Sequence, residues 1–506
     1  MPPPHARLAA GCWLLAACHN SCRGSATTTH GQPNVSFAQT LPAETVSDFS
    51  ELVQAIAKTE ADLDGSTLSS VMWITVSDGT TITLTQQLNV SGASIVYIRS
   101  QSGKRSVTFD GSGLEDGSRA YGGLIHVEQG GWLSLTGIRL INGYATENGG
   151  AIYVDSSAAS AAEVVLTDCL ISNCTAGADG GAIYLGGGGS AMISNCTMQD
   201  LRAESTPVLK SVPRSYVEIR HSAFRRLQVS ALAVTLNHVA AIWMGQTSDL
   251  VLSHCSFRHV YGCNVLSAYE SMLTVESTTF RNVNSSQASA VYLNAGSSCS
   301  MSDCIFRDCQ TGADGGALRV EASVLMLART VASHCQAFDA TAGSSANLRG
   351  GFMYCYSAII TLSECVITNC LANQGGAIAN RMSRMAISST TISHSYATGT
   401  GGVFLLFCAT ASLSDVTLTE GVAVTHGGCF QIEGIDNWRS TLVVSSSTIS
   451  GCTSGTIGGL ALVQTYSSVQ VVKTVMHDLQ ASYSGHIWEV PHQGGALGND
   501  CAEREA

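Results

Sequence analysis

One twenty-residue phrase constrains this chain more than any other feature. LTDCLISNCTAGADGGAIYL at 166–185 returns as MSDCIFRDCQTGADGGALRV at 301–320. Laid along the sequence, the phrase recurs thirteen times, starting at Leu135, Leu166, Ile193, Ile219, Leu252, Val275, Met301, Leu327, Leu362, Ile387, Leu413, Val444 and Val471. Each copy reads apolar-x-x-B-x-apolar-x-polar-C. The sixth position is apolar in every copy, running from Leu140 and Ile171 through Phe224, Phe257, Phe280 and Phe306 to Met476. Position B takes Ile, Val, Cys, Ser or Thr, as a small and mostly buried site would. Apolar spacings of three and then two read as a strand, a tight bend and a second strand.

Most copies are followed by a Gly-Gly-apolar phrase, such as GGAIYV at 149, GGALRV at 315 and GGVFLL at 401. Asp179-Gly180 and Asp314-Gly315 are turn pairs, since glycine reaches positive φ without a Cβ clash. A third strand follows that turn. Three short strands and three bends per unit make one coil of a parallel β-helix. A single coil cannot close a core, whereas stacking sets like side chains in ladders at the ~4.8 Å strand spacing. The β-branched, Gly-rich and Ser/Thr-rich repeats show no 3.6-residue stripe, which excludes a helical solenoid. The expected fold is therefore all-β: one solenoid of about thirteen clear coils, preceded by irregular early coils (MWITV, TITLT, IVYIRS, SVTFDGSG). SDFSELVQAIAKT places Phe49, Leu52, Val53 and Ile56 at helical spacing, with Asp48 and Glu51 set as a capping box. That helix would cover the open edge of the first coil.

GGAI behind an apolar-x-x-polar-C phrase resembles the polymorphic outer membrane protein repeats of bacterial surface adhesins. More broadly the pattern is similar to the right-handed β-helix of the pectin-lyase-like superfamily. The resemblance spans about residues 70–500 and implies a right-handed solenoid. The family phrase ends in Asn, where this chain has Cys174, Cys309, Cys370, Gly421, Leu201, Val260 or Ser395. No translocating barrel of those adhesins follows the repeats in this sequence, so autotransport is not expected.

The N-terminus carries Arg7 and the apolar run LAAGCWLLAAC, which reads as a secretory signal ending near Ala26. Leu15-Ala16-Ala17-Cys18 also fits a bacterial lipoprotein box, the rival reading, with a lipid anchor on Cys18. Asn-X-Ser/Thr sequons stand at Asn34, Asn89, Asn173, Asn195 and Asn284. No later stretch is apolar for the ~20 residues of a membrane helix. The expected organisation is a signal peptide at 1–26, a linker at 27–46, and the cap with early coils at 47–134. The repeats follow at 135–493, with an incomplete coil or tail at 494–506. The location expected is secreted or cell-surface.

A formal charge of -12 argues against nucleic acid as a partner. Nineteen cysteines show no zinc-ribbon or finger spacing, so no metal and no cofactor is expected. Cys169 and Cys196 share position B in adjacent coils, and Cys309, Cys335 and Cys370 share position C in three. Stacked Cα atoms ~4.8 Å apart fall within disulfide reach, so these cysteines form either a vertical disulfide ladder or a set of small buried thiols.

Enzymes similar to this superfamily that cleave pectin carry Asn-Thr-Asp, paired Asp, Gly-His-Gly and Arg-Ile-Lys phrases. None occurs here, and HGG at 426–428 is a partial echo. Asp168, Asp303, Glu364 and Asp415 precede position B in coils that are not neighbours, so they build no close carboxylate pair and read as turn formers. No catalytic residue is assigned. One feature stands out: Arg225, Arg258, Arg281 and Arg307 each follow the sixth-position Phe in four successive copies. With the Phe residues inward, alternation turns these arginines outward. Four stacked like charges repel unless something neutralises them. The neutraliser is either a bound anionic polymer such as a uronate or sulfated glycan, or local carboxylates (Glu276, Asp303, Asp308), or plain solvation. The favoured reading is a non-catalytic adhesive or glycan-binding solenoid whose partner is a carbohydrate or another surface protein. A polysaccharide lyase or glycoside hydrolase, and a structural wall or matrix protein, are the alternatives. Aromatics make up 6% and show no regular exposed row, so no sugar-stacking platform is assigned. The longer insertions at 336–350 and 431–440 read as surface loops.

Overall fold

The computed structural model describes residues 39–40, 43–61, 70–92, 94–114, 121–157, 159–229, 239–285, 289–338, 347–436, 438–483, 485 and 487–489. The expectations for the leader, for Cys18 and Asn34, and for the segment 494–506 lie outside those residues.

Each coil turns through the same sequence of states. Glu163–Thr167 is a strand of the first sheet, and Asp168 (φ 54°) bends the chain out of it. Leu170–Ser172 joins the second sheet, and Asn173 (φ 54°) makes the next bend. Thr175–Ala176 extends that sheet, Gly180 turns again at φ 68°, and Ile183–Leu185 joins the third. The left-handed residues before position B and before position C recur in all thirteen copies, from Gly137 and Asn142 to Lys473 and Asp478. Asn and Asp accept this region most readily among residues with a side chain, and Gly freely. The result is an all-β parallel solenoid of about 15 turns. The first sheet holds 17 strands and the third 15.

The pairing follows the sequence repeat residue for residue. Leu135 lies beside Leu166, Leu166 beside Ile193, and the column continues without a slip to Val444 beside Val471. The sixth position behaves likewise, from Leu140 beside Ile171 to Ile449 beside Met476. Phe224, Phe257, Phe280 and Phe306 are fully buried and stack with centroids 4.4, 5.6 and 4.7 Å apart, their planes within 7°. Each ring contributes about 1.5–3 kcal/mol by burial, and the stacking adds to it. Where the column shrinks to Ala332, Phe352, just ahead of the third-sheet strand Met353–Tyr356, is fully buried and meets Phe306 edge to face at 5.9 Å. The early coils carry no repeat phrase yet stand on the same ladders: Ile74 pairs Ile98, which pairs Leu135.

Position B has a second role beyond small size. Its backbone N–H sits just past a left-handed bend, where the sheet ladder is interrupted. There it donates to the side chain at position B one coil on: Cys196 to Ser222 Oγ (3.1 Å), Cys365 to Thr390 Oγ1 (3.2 Å), Val416 to Ser447 Oγ (3.0 Å). Those hydroxyls in turn donate to the carbonyl two residues back, as Thr390 does to Ser388 (2.8 Å). A parallel serine column closes the corner between the third and first sheets, with Ser215 N–H on Ser248 Oγ and Ser271 N–H on Ser297 Oγ.

Helix α1 (Phe49–Ala61) buries Leu52, Ala55 and Ile56 on the end of the core. Asp48 Oδ1 accepts from Glu51 N–H at 2.9 Å, and Glu51 Oε2 accepts from Ser47 N–H at 2.7 Å, a reciprocal cap.

The two glycines of the Gly-Gly turn do different things. Gly401 needs its φ of 65°; Gly402 needs its missing Cβ, which would stand 2.1 Å from Gly428 O in the next coil.

Cys169, Cys196, Cys309, Cys335 and Cys370 are buried and carry free thiols in this structure. The last three thiols each donate to the carbonyl two residues back, Cys309 to Arg307 (3.8 Å), Cys335 to Ser333 (3.7 Å) and Cys370 to Thr368 (3.5 Å), and the Cys169 N–H donates to Cys196 Sγ at 3.4 Å. Burial lifts the Cys169 and Cys174 thiols, the second to about 12. The one disulfide among the described residues joins Cys429 to Cys452, Cα atoms 5.5 Å apart. It ties the Gly-Gly turn of one coil to position C of the next, a diagonal that the column alignment missed.

Gly402→Ala is expected to destabilise by about 1–3 kcal/mol through overpacking. Gly296→Ala, at φ 86° with open space around it, costs only about 1 kcal/mol of backbone strain. Thermal unfolding of the two variants separates the effects. In peptide mapping under non-reducing conditions, Cys429 and Cys452 are expected as one cross-linked pair. Cys309, Cys335 and Cys370 should resist alkylation in the native protein and react once it is unfolded.

Candidate functional site

The outward face of the second sheet carries the arginines in vertical register. Arg225 pairs Arg258, Arg258 pairs Arg281, and Arg281 pairs Arg307. The inward Phe neighbours fix their direction, because residues alternate across a strand. Arg225, Arg258 and Arg307 are exposed and Arg281 is half-buried.

Neutralisation is uneven along the column. Asp308 Oδ2 lies 3.8 Å from Arg281 Nε and 3.5 Å from Arg307 Nε, so two guanidinium groups share one carboxylate. Arg281 Nε is buried without a hydrogen-bond partner among the described residues. Asp303, another expected neutraliser, is taken by Arg329 through bonds of 2.9 and 2.8 Å, and this bidentate contact holds its carboxyl below the usual range. Asp200 is bound in the same manner by Arg226 at 2.5 and 2.6 Å. Arg225 and Arg258 have no ion pair among the described residues. The upper half of the column is free and the lower half shares a single carboxylate.

The turn acids Asp168, Asp303, Glu364 and Asp415 all stand at left-handed bends, φ 53–56°. They shape the chain. No group of three His, Cys, Asp or Glu that could hold a metal occurs among the described residues. Asn89, Asn173, Asn195 and Asn284 are exposed. The Asn173 amide donates to Asn142 Oδ1 (2.6 Å) and the Asn195 amide to Asp168 Oδ1, so both link neighbouring coils.

A row of aromatics that the sequence reading did not find lies outward on the third sheet. Tyr153 and Tyr184 stack at 5.2 Å and 7°, with Tyr121 5.0 Å from Tyr153. Farther along, Lys210 Nζ sits 3.7 Å over the Trp243 ring and 3.6 Å from Asp179. The stacked tyrosines spend their faces on one another, so they pack coils together. The Tyr after GGAI in two consecutive copies was the signal available in the sequence.

No described helix is long and apolar enough to cross a membrane. Residues 240–403 match a family model described as the right-handed beta helix region, a span that includes Arg258, Arg281 and Arg307. Among solved structures, this chain is similar to PfbA, a surface adhesin of Streptococcus pneumoniae, with 9% identity, 90% of this chain and 97% of that chain covered, and a TM-score of 0.28. It is also similar to the PL6 family alginate lyase AlyGC, with 10% identity, coverage of 86% and 89%, and a TM-score of 0.21. No curated protein matches. Three parallel ladders of stacked strands, together with the matched family model, make this chain a right-handed parallel β-helix.

Proposed function

We propose that the protein is a non-catalytic binding solenoid of the cell surface or the extracellular space, holding an acidic polysaccharide along its arginine column. The observation that carries this reading is the pair Arg225 and Arg258, stacked in register and without carboxylate partners among the described residues. Guanidinium groups recognise carboxylate and sulfate through forked hydrogen bonds, and a column spaced ~4.8 Å per coil offers them as a linear array. The ligand class is a uronate or sulfated glycan. Its charges replace the missing carboxylates, and no covalent bond changes. The extracellular setting rests on the apolar run LAAGCWLLAAC behind Arg7.

The test is the double substitution Arg225→Gln with Arg258→Gln, assayed on acidic glycans. Affinity is expected to fall at least about tenfold, each charged hydrogen bond being worth about 1.5–3 kcal/mol. The circular dichroism spectrum should not change, because both side chains point outward. Unchanged binding removes the arginine column from the function. Turnover of pectate or alginate by the purified protein instead moves the assignment to a polysaccharide lyase.

A further inference from the structure

The free half of the arginine column lies in the coils that also carry three histidines. His221 and His254 occupy the first bend at φ 49° and 52°, and their rings stack 4.8 Å apart at 29°. His259 occupies the second bend directly after Arg258, its Nδ1 3.5 Å from Tyr261 Oη. All three are exposed. Of the neighbouring carboxylates, Asp200 is engaged by Arg226, Glu218 by Arg220, Asp308 by Arg281 and Arg307, and Asp303 by Arg329, while that of Glu276 has no ion pair among the described residues. Glu276, at the end of the next strand of the first sheet, reaches His254 through its backbone carbonyl, which accepts the His254 N–H at 3.0 Å. One coil earlier, the Arg105 guanidinium covers the bend, donating to Asp168 O and Asn195 O and to Thr197 Oγ1. None of the three imidazoles has an ion pair among the described residues.

We propose that His221, His254 and His259 make polyanion binding by the arginine column proton-linked, so that the grip tightens as these rings take up protons. The inference rests on the reading of that column as an acidic-polysaccharide site. An imidazole ordinarily titrates near pH ~6.5. Two stacked imidazolium rings repel one another and add to the positive charge of the coils that carry Arg225 and Arg258, and an anion laid along those coils relieves that repulsion. The complex therefore holds more protons than the free protein, and affinity rises as pH falls. By the same linkage, each fully coupled histidine contributes up to about tenfold per pH unit. Sulfate esters stay charged throughout this range, so a sulfated ligand does not supply the pH dependence itself.

The experiment measures binding of the full chain to heparin at fixed ionic strength between about pH 7.5 and about pH 5.5. Wild type is expected to tighten at least about tenfold across that range. His221→Asn with His254→Asn and His259→Asn should keep the affinity seen at the higher pH and lose the gain. Asparagine suits the left-handed bends, and His259→Asn alone, with a partial loss, serves if the triple variant does not fold. Arg225→Gln with Arg258→Gln should bind weakly at every pH. Wild-type binding that needs the arginines but ignores pH overturns the proton link and leaves the column reading intact. A gain that persists in the histidine variants also overturns it. No heparin or polyuronate binding at any pH overturns both.

Discussion

Register between successive coils is the constraint on which everything else in this structure depends. Each coil leaves its sheets through left-handed residues, and every such residue interrupts the backbone ladder. An N–H left unpaired there would cost about 1–3 kcal/mol. Side chains one coil on supply the missing acceptor: Ser222 for Cys196, Thr390 for Cys365, Ser447 for Val416. A slip of one residue would place an apolar or outward side chain opposite each bend and lose the whole column of bonds. The solenoid is thus held in register at its corners by side chains and along its faces by backbone.

The phrase that begins at Leu166 contained most of this architecture. Apolar positions one and six proved to be continuous ladders because only stacking lets a thin coil bury them. What could not be read was the chemistry of position B. Ile, Val, Cys, Ser and Thr share small volume, and volume alone explains burial; the preference for an Oγ or Sγ appears only once the interrupted N–H is seen. The early coils hid for a related reason. Ile74 and Ile98 stand on the ladder of Leu135, but loops of different length separate them and no Gly-Gly turn marks the step. Cys429 and Cys452 escaped because a column alignment reveals vertical neighbours, and that bond runs diagonally.

The candidate site was legible as a column and illegible as an ion-pair network. Sequence spacing put four arginines outward and offered three carboxylates as partners. Which carboxylate reaches which arginine depends on the side chains of the bends. Asp308 sits at the second bend immediately after Arg307 and serves two guanidinium groups. Asp303, five residues before it at the first bend, faces Arg329 in the following coil instead. The same bend column places Asn282 and His259 in the coils above Asp308, so the upper arginines meet no acid there.

An interior that is dictated by stacking leaves the outward positions free to vary, which makes the unbalanced charge informative. Two guanidinium groups about 5 Å apart in water repel by roughly 1 kcal/mol, and salt screens much of that. The solenoid tolerates such a penalty easily, because its core and corner bonds do not involve these side chains. A protein of charge -12 has acidic residues to spare, and it places them on Arg226, Arg281, Arg307 and Arg329 while, among the described residues, Arg225 and Arg258 go without. In water those two charges gain little and lose little. Against a linear anion whose charges follow the coil spacing, the register that builds the core also aligns the donors, and their small mutual repulsion becomes attraction for the ligand.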